Sequence, residues 1–319
     1  MKTVKLGRTG LVVNRNGFGA LPIQRDSKEE AVRLLKKAFD HGIRFFDTAR
    51  AYTDSEEKVG EALSPVRSQV ILATKTHAQT PEAFRRDLET SLRLLKTDYI
   101  DIYQFHMASY CPRPGDEAGL YDCMLRAREA VESGLYDTLQ FPFSYLAADT
   151  DAELVRLCAE KDVGFICMKA LAGGLITRSD AAYAYLSQFE NTLPIWGVQR
   201  ERELDEFLSY QEKEPVMTDE IRELIARDRR ELAGDFCRGC GYCLPCPAGI
   251  PIPTAARMSL LLRRAPVAGS LSPDMQAQMA RIDHCINCRH CADHCPYHLD
   301  TPALLRKNYE DYKTFLAKQ

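Results

Sequence analysis

Three short apolar stretches in the first third of the chain each close on a polar residue, and the segments between them carry helical periodicity. Arg44-Phe45-Phe46-Asp47 ends in an acid and reaches Tyr52 shortly after, Val70-Ile71-Leu72-Ala73-Thr74 runs into Lys75, and Tyr99-Ile100-Asp101-Ile102-Tyr103-Gln104-Phe105 runs into His106. Strands joined by helices rather than by tight turns must lie parallel, with right-handed crossovers. When such a sheet curls into a barrel, the carboxyl ends of its strands meet on one face, where the active sites of (β/α) barrels lie. Asp47, Tyr52, Lys75 and His106 are therefore expected to converge there, far apart in sequence but close in space.

The alternation continues beyond this region. Two alternating runs around Gly7-Arg8-Thr9-Gly10 predict a hairpin that caps one end of the barrel, and a first strand ends near Gly17-Phe18-Gly19. Helices are expected over residues 28–39, 55–63, 81–95 and about 120–132, the third opened by Thr80-Pro81 as cap and first-turn proline. Further strands are expected near 138–143, 164–169 and 193–198, with helices near 152–160, 180–189 and 201–210. That makes seven βα units in about 200 residues, which favours a TIM-type barrel over an open sheet.

From Thr218 the strand-like runs stop. Helical patterns over 218–232, 255–264, 274–282 and 302–316 alternate with two cysteine clusters, so the chain divides into a barrel over 1–215 and a small α-helical unit over 216–319. A unit of about 100 residues has a modest core, and bound metal is expected to supply part of its folding free energy. A net charge of −3 and a pI near 6.2 give no basis for a nucleic-acid surface. Neither a signal peptide nor an apolar run of membrane-spanning length is present, so a cytoplasmic, membrane-free protein is expected.

In a reducing compartment the twelve cysteines call for metal or redox chemistry rather than disulfides. Cys111, Cys123, Cys158 and Cys167 are scattered and read as small hydrophobes. The rest form Cys237-x2-Cys240-x2-Cys243-x2-Cys246-Pro247 and Cys285-x2-Cys288-x2-Cys291-x3-Cys295-Pro296. Three closely spaced thiolates can hold three corners of a 4Fe-4S cubane, while the cysteine before proline ligates the partner cluster. Crossed ligation is expected: Cys237, Cys240, Cys243 and Cys295 for one cluster, and Cys285, Cys288, Cys291 and Cys246 for the other. The first motif is one residue short before Cys246. Structural zinc also uses Cys-x2-Cys pairs, but three evenly spaced cysteines followed by Cys-Pro, twice over, argue against it. With enough thiolates for both clusters, His284, His290, His294 and His298 are expected to be surrounding groups rather than ligands.

The four strand-end residues suit hydride delivery to a carbonyl. A phenol with a pKa near 10 exchanges protons poorly unless a cation stabilises its phenolate, and Lys75 is the expected cation, held in place by Asp47. His106 is placed to hydrogen-bond the carbonyl oxygen that Tyr52 protonates. Singly, each is an ordinary strand-end polar residue; together they form a catalytic set.

The order Asp47, Tyr52, Lys75, His106, the Asp-Thr-Ala-x-x-Tyr stretch and the opening hairpin resemble the aldo-keto reductases over residues 1 to about 212. With the cysteine unit, the whole chain looks like a ferredoxin-fused branch of that family. The resemblance implies an oxidoreductase dependent on NADP or NAD, in which Tyr52 is the acid-base residue, Lys75 and Asp47 tune it, and His106 orients a small-molecule carbonyl substrate. It further implies that Gly19 and Ala20 lie by the nicotinamide ribose and Gln140 by the carboxamide, and that Met168 replaces the aromatic that stacks on the ring, with Lys169 in the same cofactor-binding set. Gly173, Gly174, Gly197 and Arg200 would approach the phosphates.

Two departures from the family pattern stand out. About one helix and one strand are missing between His106 and Asp137, which predicts a gapped barrel with a weakened grip on the carboxamide. Glu203 stands where the family often places a base for the 2′-phosphate, which leaves the choice between NADP and NAD open. Hydride chemistry moves two electrons and clusters move one, so a flavin, a radical-capable substrate or a flavoprotein partner is expected between them. The competing reading is a redox-sensing or electron-transfer iron–sulfur protein whose degenerate barrel is not catalytic.

Overall fold

The structure is a computed structural model that describes residues 2–78, 80–106, 131, 132, 134, 136–147, 149–232, 237, 239, 243–264, 269–295 and 299–318. Among these, seven parallel strands form one curled sheet: β3 (Gly17–Gly19), β4 (Phe45–Asp47), β5 (Ile71–Thr76), β6 (Ile102–Phe105), β7 (Thr138–Pro142), β8 (Gly164–Met168) and β9 (Thr192–Gly197). Their spatial order is β6-β5-β4-β3-β9-β8-β7, so β3 pairs with both β4 and β9 while β6 and β7 are the two edges. Among the described residues the sheet is open between β6 and β7, where the sequence reads as one βα unit short. The expected loop at 107–119 and most of the expected helix at 120–132 lie outside the described residues.

A hairpin of β1 (Thr3–Lys5) and β2 (Val12–Asn14) closes the amino-end mouth, with Gly7 bridging Val163. Gly7 has φ +53°, and a Cβ there would collide with the backbone of residues 162–164, so the turn requires glycine. The hairpin is further tied by Arg8, which donates to Asp137 Oδ1 and to the carbonyls of Gly134 and Tyr136, each at 2.7 Å.

Alternation along the strands makes two cores. Inward-facing Phe45, Ala73, Ile102, Ile166 and Ile195 meet Leu6 and Val13 of the hairpin, whereas their neighbours Phe46, Leu72, Phe165 and Trp196 face out and pack under the helices. Both faces of a parallel sheet are buried, which is why these strands read as continuous apolar runs. The covering helices are α1 (Lys28–Asp40), α2 (Ser55–Leu63), α3 (Pro81–Leu95), α4 (Asp149–Glu160), α5 (Ser179–Leu186) and α6 (Glu201–Glu212). Thr80 caps α3 by accepting from Ala83 N at 3.2 Å, as its sequence suggests.

The first expected strand residues of β6 are not strand. Asp101 Oδ2 accepts from Leu72 N at 2.8 Å and from Arg67 Nη2 at 2.7 Å, so a carboxylate takes the backbone partner that pairing would have used. Lys75 lies inside β5, which runs on to Thr76, rather than just past its end.

After the barrel come α7 (Asp219–Glu231), α8 (Ile252–Ala255), α9 (Met258–Arg264), α10 (Pro273–Ala280), α11 (His290–Asp293) and α12 (Thr301–Leu316). Ile221, Ile225 and Leu232 pack with the barrel core, and a separate core begins at Cys237, gathering Ile250, Ile252, Met258, Met279, Leu305 and Tyr312 around the cysteines. No helix among the described residues is long and apolar enough to cross a membrane.

Gly60 of α2 abuts the end of α3, and a Cβ there would run into Leu94 O and the backbone of Leu95. Gly60→Ala is therefore expected to destabilise the protein by about 1–3 kcal/mol in chemical denaturation. A variant as stable as the parent would show that the two helices do not meet at this residue.

Candidate active site

Strand parity decides which side chains enter the barrel. Positions two residues beyond the inward Phe45, Ala73, Ile166 and Ile195 are Asp47, Lys75, Met168 and Gly197, and Ile102 is followed in the same sense by Gln104 and His106. Gln140 faces in because its neighbour Phe141 belongs to the outer core. Asp47 and Lys75 come level through the pairing of Asp47 with Ala73, while Thr48 N donates to Ala73 O and Arg50 N to Lys75 O, carrying the chain up to Tyr52.

Lys75 Nζ donates to both carboxylate oxygens of Asp47 and, at 2.7 Å, to Thr48 O. The two residues are 2% and 4% exposed. Burial pushes the Asp47 carboxyl up and the Lys75 ammonium down, and each partner's charge opposes that push in the other. The Tyr52 ring lies edge-on to His106 with centroids 5.4 Å apart, and Lys75 Nζ is 5.5 Å from the Tyr52 centroid. The expected lowering of the Tyr52 pKa by Lys75 is not what the geometry produces. Burial, and after it the Asp47 charge, raises the phenol's pKa. Tyr52 is accordingly held protonated.

His106 is lowered to about 3 by burial, then by the charges of Lys75 and His77, so its imidazole is neutral. His77, whose ring centroid is 4.4 Å from that of His106, was missed in the sequence; its position two residues after Lys75 was the available signal. Glu56 was missed as well. This buried carboxylate pairs with Arg50 and accepts from Thr74 Oγ1 and Ser91 Oγ, both at 2.7 Å, pinning the Tyr52 loop to β5 and α3.

Asp47, Tyr52, Lys75 and His106 line one cavity of about 950 Å³ at the carboxyl ends of the strands, and His77 and Glu56 stand behind its wall. Of the residues assigned to the nucleotide, Gly19, Ala20, Gln140, Met168, Lys169, Gly173, Gly174 and Gly197 lie in its wall, and Arg200 does not. Arg200 instead begins α6, where Glu203 accepts from Gln199 N at 2.9 Å and Arg200 N at 3.0 Å. Gln140 Nε2 donates to Asp47 Oδ2 at 3.3 Å, which leaves its buried Oε1 without a partner. An acceptor so placed fits the amide of a nicotinamide. Gly173 and Gly174, at φ +65° and +94°, turn the chain tightly after β8.

In the second unit Cys285, Cys288 and Cys291 share the wall of one small pocket with Cys246 and Cys243. The chemistry of this donor set, four thiols or more at one void, fits an iron–sulfur cluster. Cys237, Cys243 and Cys295 join the same core, and Gly239 N donates to Cys237 Sγ at 3.3 Å; Cys240 and His298 lie outside the described residues.

Comparison with known proteins agrees with this arrangement. Residues 16–113 match the aldo/keto reductase family, and residues 236–300 match the 4Fe-4S dicluster domain. The uncharacterized oxidoreductase YrpG of Bacillus subtilis (strain 168) is 25% identical over 319 residues, covering 78% of this chain and 98% of that protein. An NADH-specific methylglyoxal reductase of Escherichia coli (strain K12) is 27% identical over 226 residues, 56% of this chain and 69% of its own length. The crystal structure of an aldo-keto reductase from Klebsiella pneumoniae in complex with NADPH shares the fold with a TM-score of 0.57 at 21% identity, over 71% of this chain and 94% of that one. Fold and matches together show an aldo-keto reductase-like barrel, of which residues 16–113 match that family's model. This chain carries an aldo/keto reductase family domain followed by a 4Fe-4S dicluster domain.

A folded-state pKa below the unfolded value means that the unfolded chain binds more protons at mildly acid pH, so the contribution of His106 to stability is present above about 6.5 and is lost as pH falls toward about 3. The ring signals of His106 are expected to stay flat from pH 8 to pH 5 in NMR, and His106→Gln should make stability less sensitive to acid in that window. A midpoint near 6.5 in the native protein would show that the ring is solvated.

Proposed function

We propose that the protein interconverts a carbonyl compound and its alcohol with a nicotinamide nucleotide bound at the strand-end cavity, and that two 4Fe-4S clusters in the C-terminal unit carry single electrons. The observation that carries the reading is the buried Asp47–Lys75 pair set beside Tyr52 and His106 in the wall of one cavity. The nucleotide, when bound, supplies or accepts the hydride. Tyr52, kept as a phenol by burial and by Asp47, donates its proton to the oxygen that gains charge as the carbonyl is reduced. The phenolate left behind is stabilised by the Lys75 ammonium, whose own position is set by Asp47 and Thr48 O. Neutral His106 hydrogen-bonds the same substrate oxygen and so orients the carbonyl carbon. Gln140 Oε1 and the backbone around Gly19, Ala20, Gly173, Gly174 and Gly197 receive the nucleotide, with Met168 against its ring. Glu203 is an acid engaged in starting α6 and lies outside the cavity wall, so a cation that would choose NADP over NAD has to be another residue.

The cysteine assignment is Cys237, Cys240, Cys243 and Cys295 for one cluster and Cys285, Cys288, Cys291 and Cys246 for the other. Cys246 shares one wall with Cys285, Cys288 and Cys291, as the crossed pattern requires, and Cys243 of the other set borders the same void. The clusters, when bound, supply one-electron transfer.

The open edge between β6 and β7 favours a second reading, in which the barrel binds a nucleotide or a redox partner without reducing carbonyls. Tyr52→Phe separates the two. The enzyme reading expects kcat/KM for carbonyl reduction to fall by about 10²–10⁴-fold with nucleotide affinity kept, whereas the electron-transfer reading expects no change in physiological turnover. Cys246→Ala tests the crossed pattern: iron content should fall from about eight toward about four per chain, with the signal of the other cluster retained. Full iron retention would return Cys246 to a structural role.

A further inference from the structure

Gln104 lines the cavity and points into the barrel, yet nothing in the protein engages the end of its side chain. On β6 it pairs in register with Lys75 and lies two residues before His106, so it enters the barrel level with Lys75 and about 6–7 Å deeper than the imidazole. Its Oε1 is buried and has no partner. Gln140 on β7 is in a similar condition, since its Nε2 is taken by Asp47 Oδ2 and its buried Oε1 is left over. The cavity therefore holds two unpaired amide oxygens, one beside each member of the Asp47–Lys75 pair and one from each edge strand of the sheet.

Lys75 cannot supply the missing donors, because its three N–H groups go to the two carboxylate oxygens of Asp47 and to Thr48 O. A buried acceptor without a donor is costly, and a ligand that brings the donor removes that cost on binding. The demand at this place is for two N–H groups without added charge. A hydroxyl offers one proton and an ammonium would face Lys75, whereas a primary amide carries two N–H bonds on one neutral nitrogen.

We propose that Gln104 is a cofactor-binding residue whose Oε1 accepts one N–H of the nicotinamide carboxamide while Gln140 Oε1 accepts the other. This rests on the reading that the cavity takes a nicotinamide nucleotide, and it adds a residue and a hydrogen-bond pattern to that reading. A carboxamide gripped from two strands keeps its ring from turning about the bond to the ribose, which fixes the ring face offered to the substrate. Because β6 and β7 are the edges of the sheet among the described residues, the same contact spans its open side.

The test is equilibrium binding under anaerobic conditions to the full-length, cluster-loaded protein. The probes are oxidised NADP and NAD and the 3-acetylpyridine analogue of each, in which a methyl group replaces the amide nitrogen. Gln104→Leu should weaken whichever carboxamide dinucleotide the unmutated protein binds by about five- to a hundredfold, while leaving its acetylpyridine analogue unchanged. Gln104→Met, closer in shape to glutamine, should do the same. Equal loss for the carboxamide and acetyl forms overturns the proposal, and so does unaltered nucleotide affinity in a folded variant, including one in which only the KM of the carbonyl substrate rises. A measurement on the unmutated protein covers the case in which both variants misfold. Nicotinic acid adenine dinucleotide sets a carboxylate against both acceptors and should bind at least about tenfold more weakly than NAD; equal affinity overturns the proposal. An unmutated protein that binds neither NADP nor NAD overturns the nucleotide reading itself, and this inference with it.

Discussion

The Asp47–Lys75 pair is the interaction on which the rest depends. Two opposite charges at 2% and 4% exposure lie deep in a parallel sheet, where losing either partner would strand an uncompensated charge at a cost of about 3–5 kcal/mol. Such a pair contributes little net stability compared with well-packed apolar residues. Its value lies in what it organises. Lys75 reaches back to Thr48 O and so secures the chain that carries Tyr52, and Asp47 receives the Gln140 amide from the far side of the barrel. Hence one buried pair links β4, β5 and β7 and sets the charge felt by the phenol and the imidazole.

That arrangement survives in an open sheet. Closure normally pairs every strand on both sides, yet here β6 and β7 are edges among the described residues, and the cavity wall includes residues from both. The tetrad tolerates this because its members sit on β4, β5 and β6 and the loop after β4, all on one continuous side of the gap. Gln140, Met168, Lys169 and the glycine turn lie on the other arm, joined to the first through β9 and β3. The gap among the described residues therefore falls between the Asp47–His106 group and the Gln140–Gly174 group instead of within either.

Arg257, in the turn between α8 and α9, lines the barrel cavity and reaches Ala172 O at 3.4 Å, which gives the second domain a place in the first domain's cavity. A guanidinium crossing from one core to the other needs clearance on both sides, which Gly173 and Gly239 provide by having no side chain. Glycines at these two positions, one in a barrel turn and one in a cysteine motif, have separate local explanations, and only their shared neighbour reveals the common one.

Much was legible in the chain itself because it depends on short-range periodicity. Inward and outward positions follow from period-two alternation, α2 and α3 span the stretches their patterns predict, and Asp47, Lys75 and His106 lie at or next to the carboxyl ends of β4, β5 and β6, with Tyr52 in the loop after β4. The cysteine spacing likewise points to its own chemistry, since three closely spaced thiolates can hold three corners of one cubane. What the tertiary structure alone decided are the terms that depend on distance and burial. The sign of the Tyr52 shift turned on how deeply the ring is buried and then on the Asp47 charge near it; the role of Glu56 turned on which hydroxyls surround it; Glu203 and Arg200 were set by the start of α6. Arg257 belongs to this second kind, because no local pattern joins a turn in one domain to a glycine in another, and only packing brings them within reach.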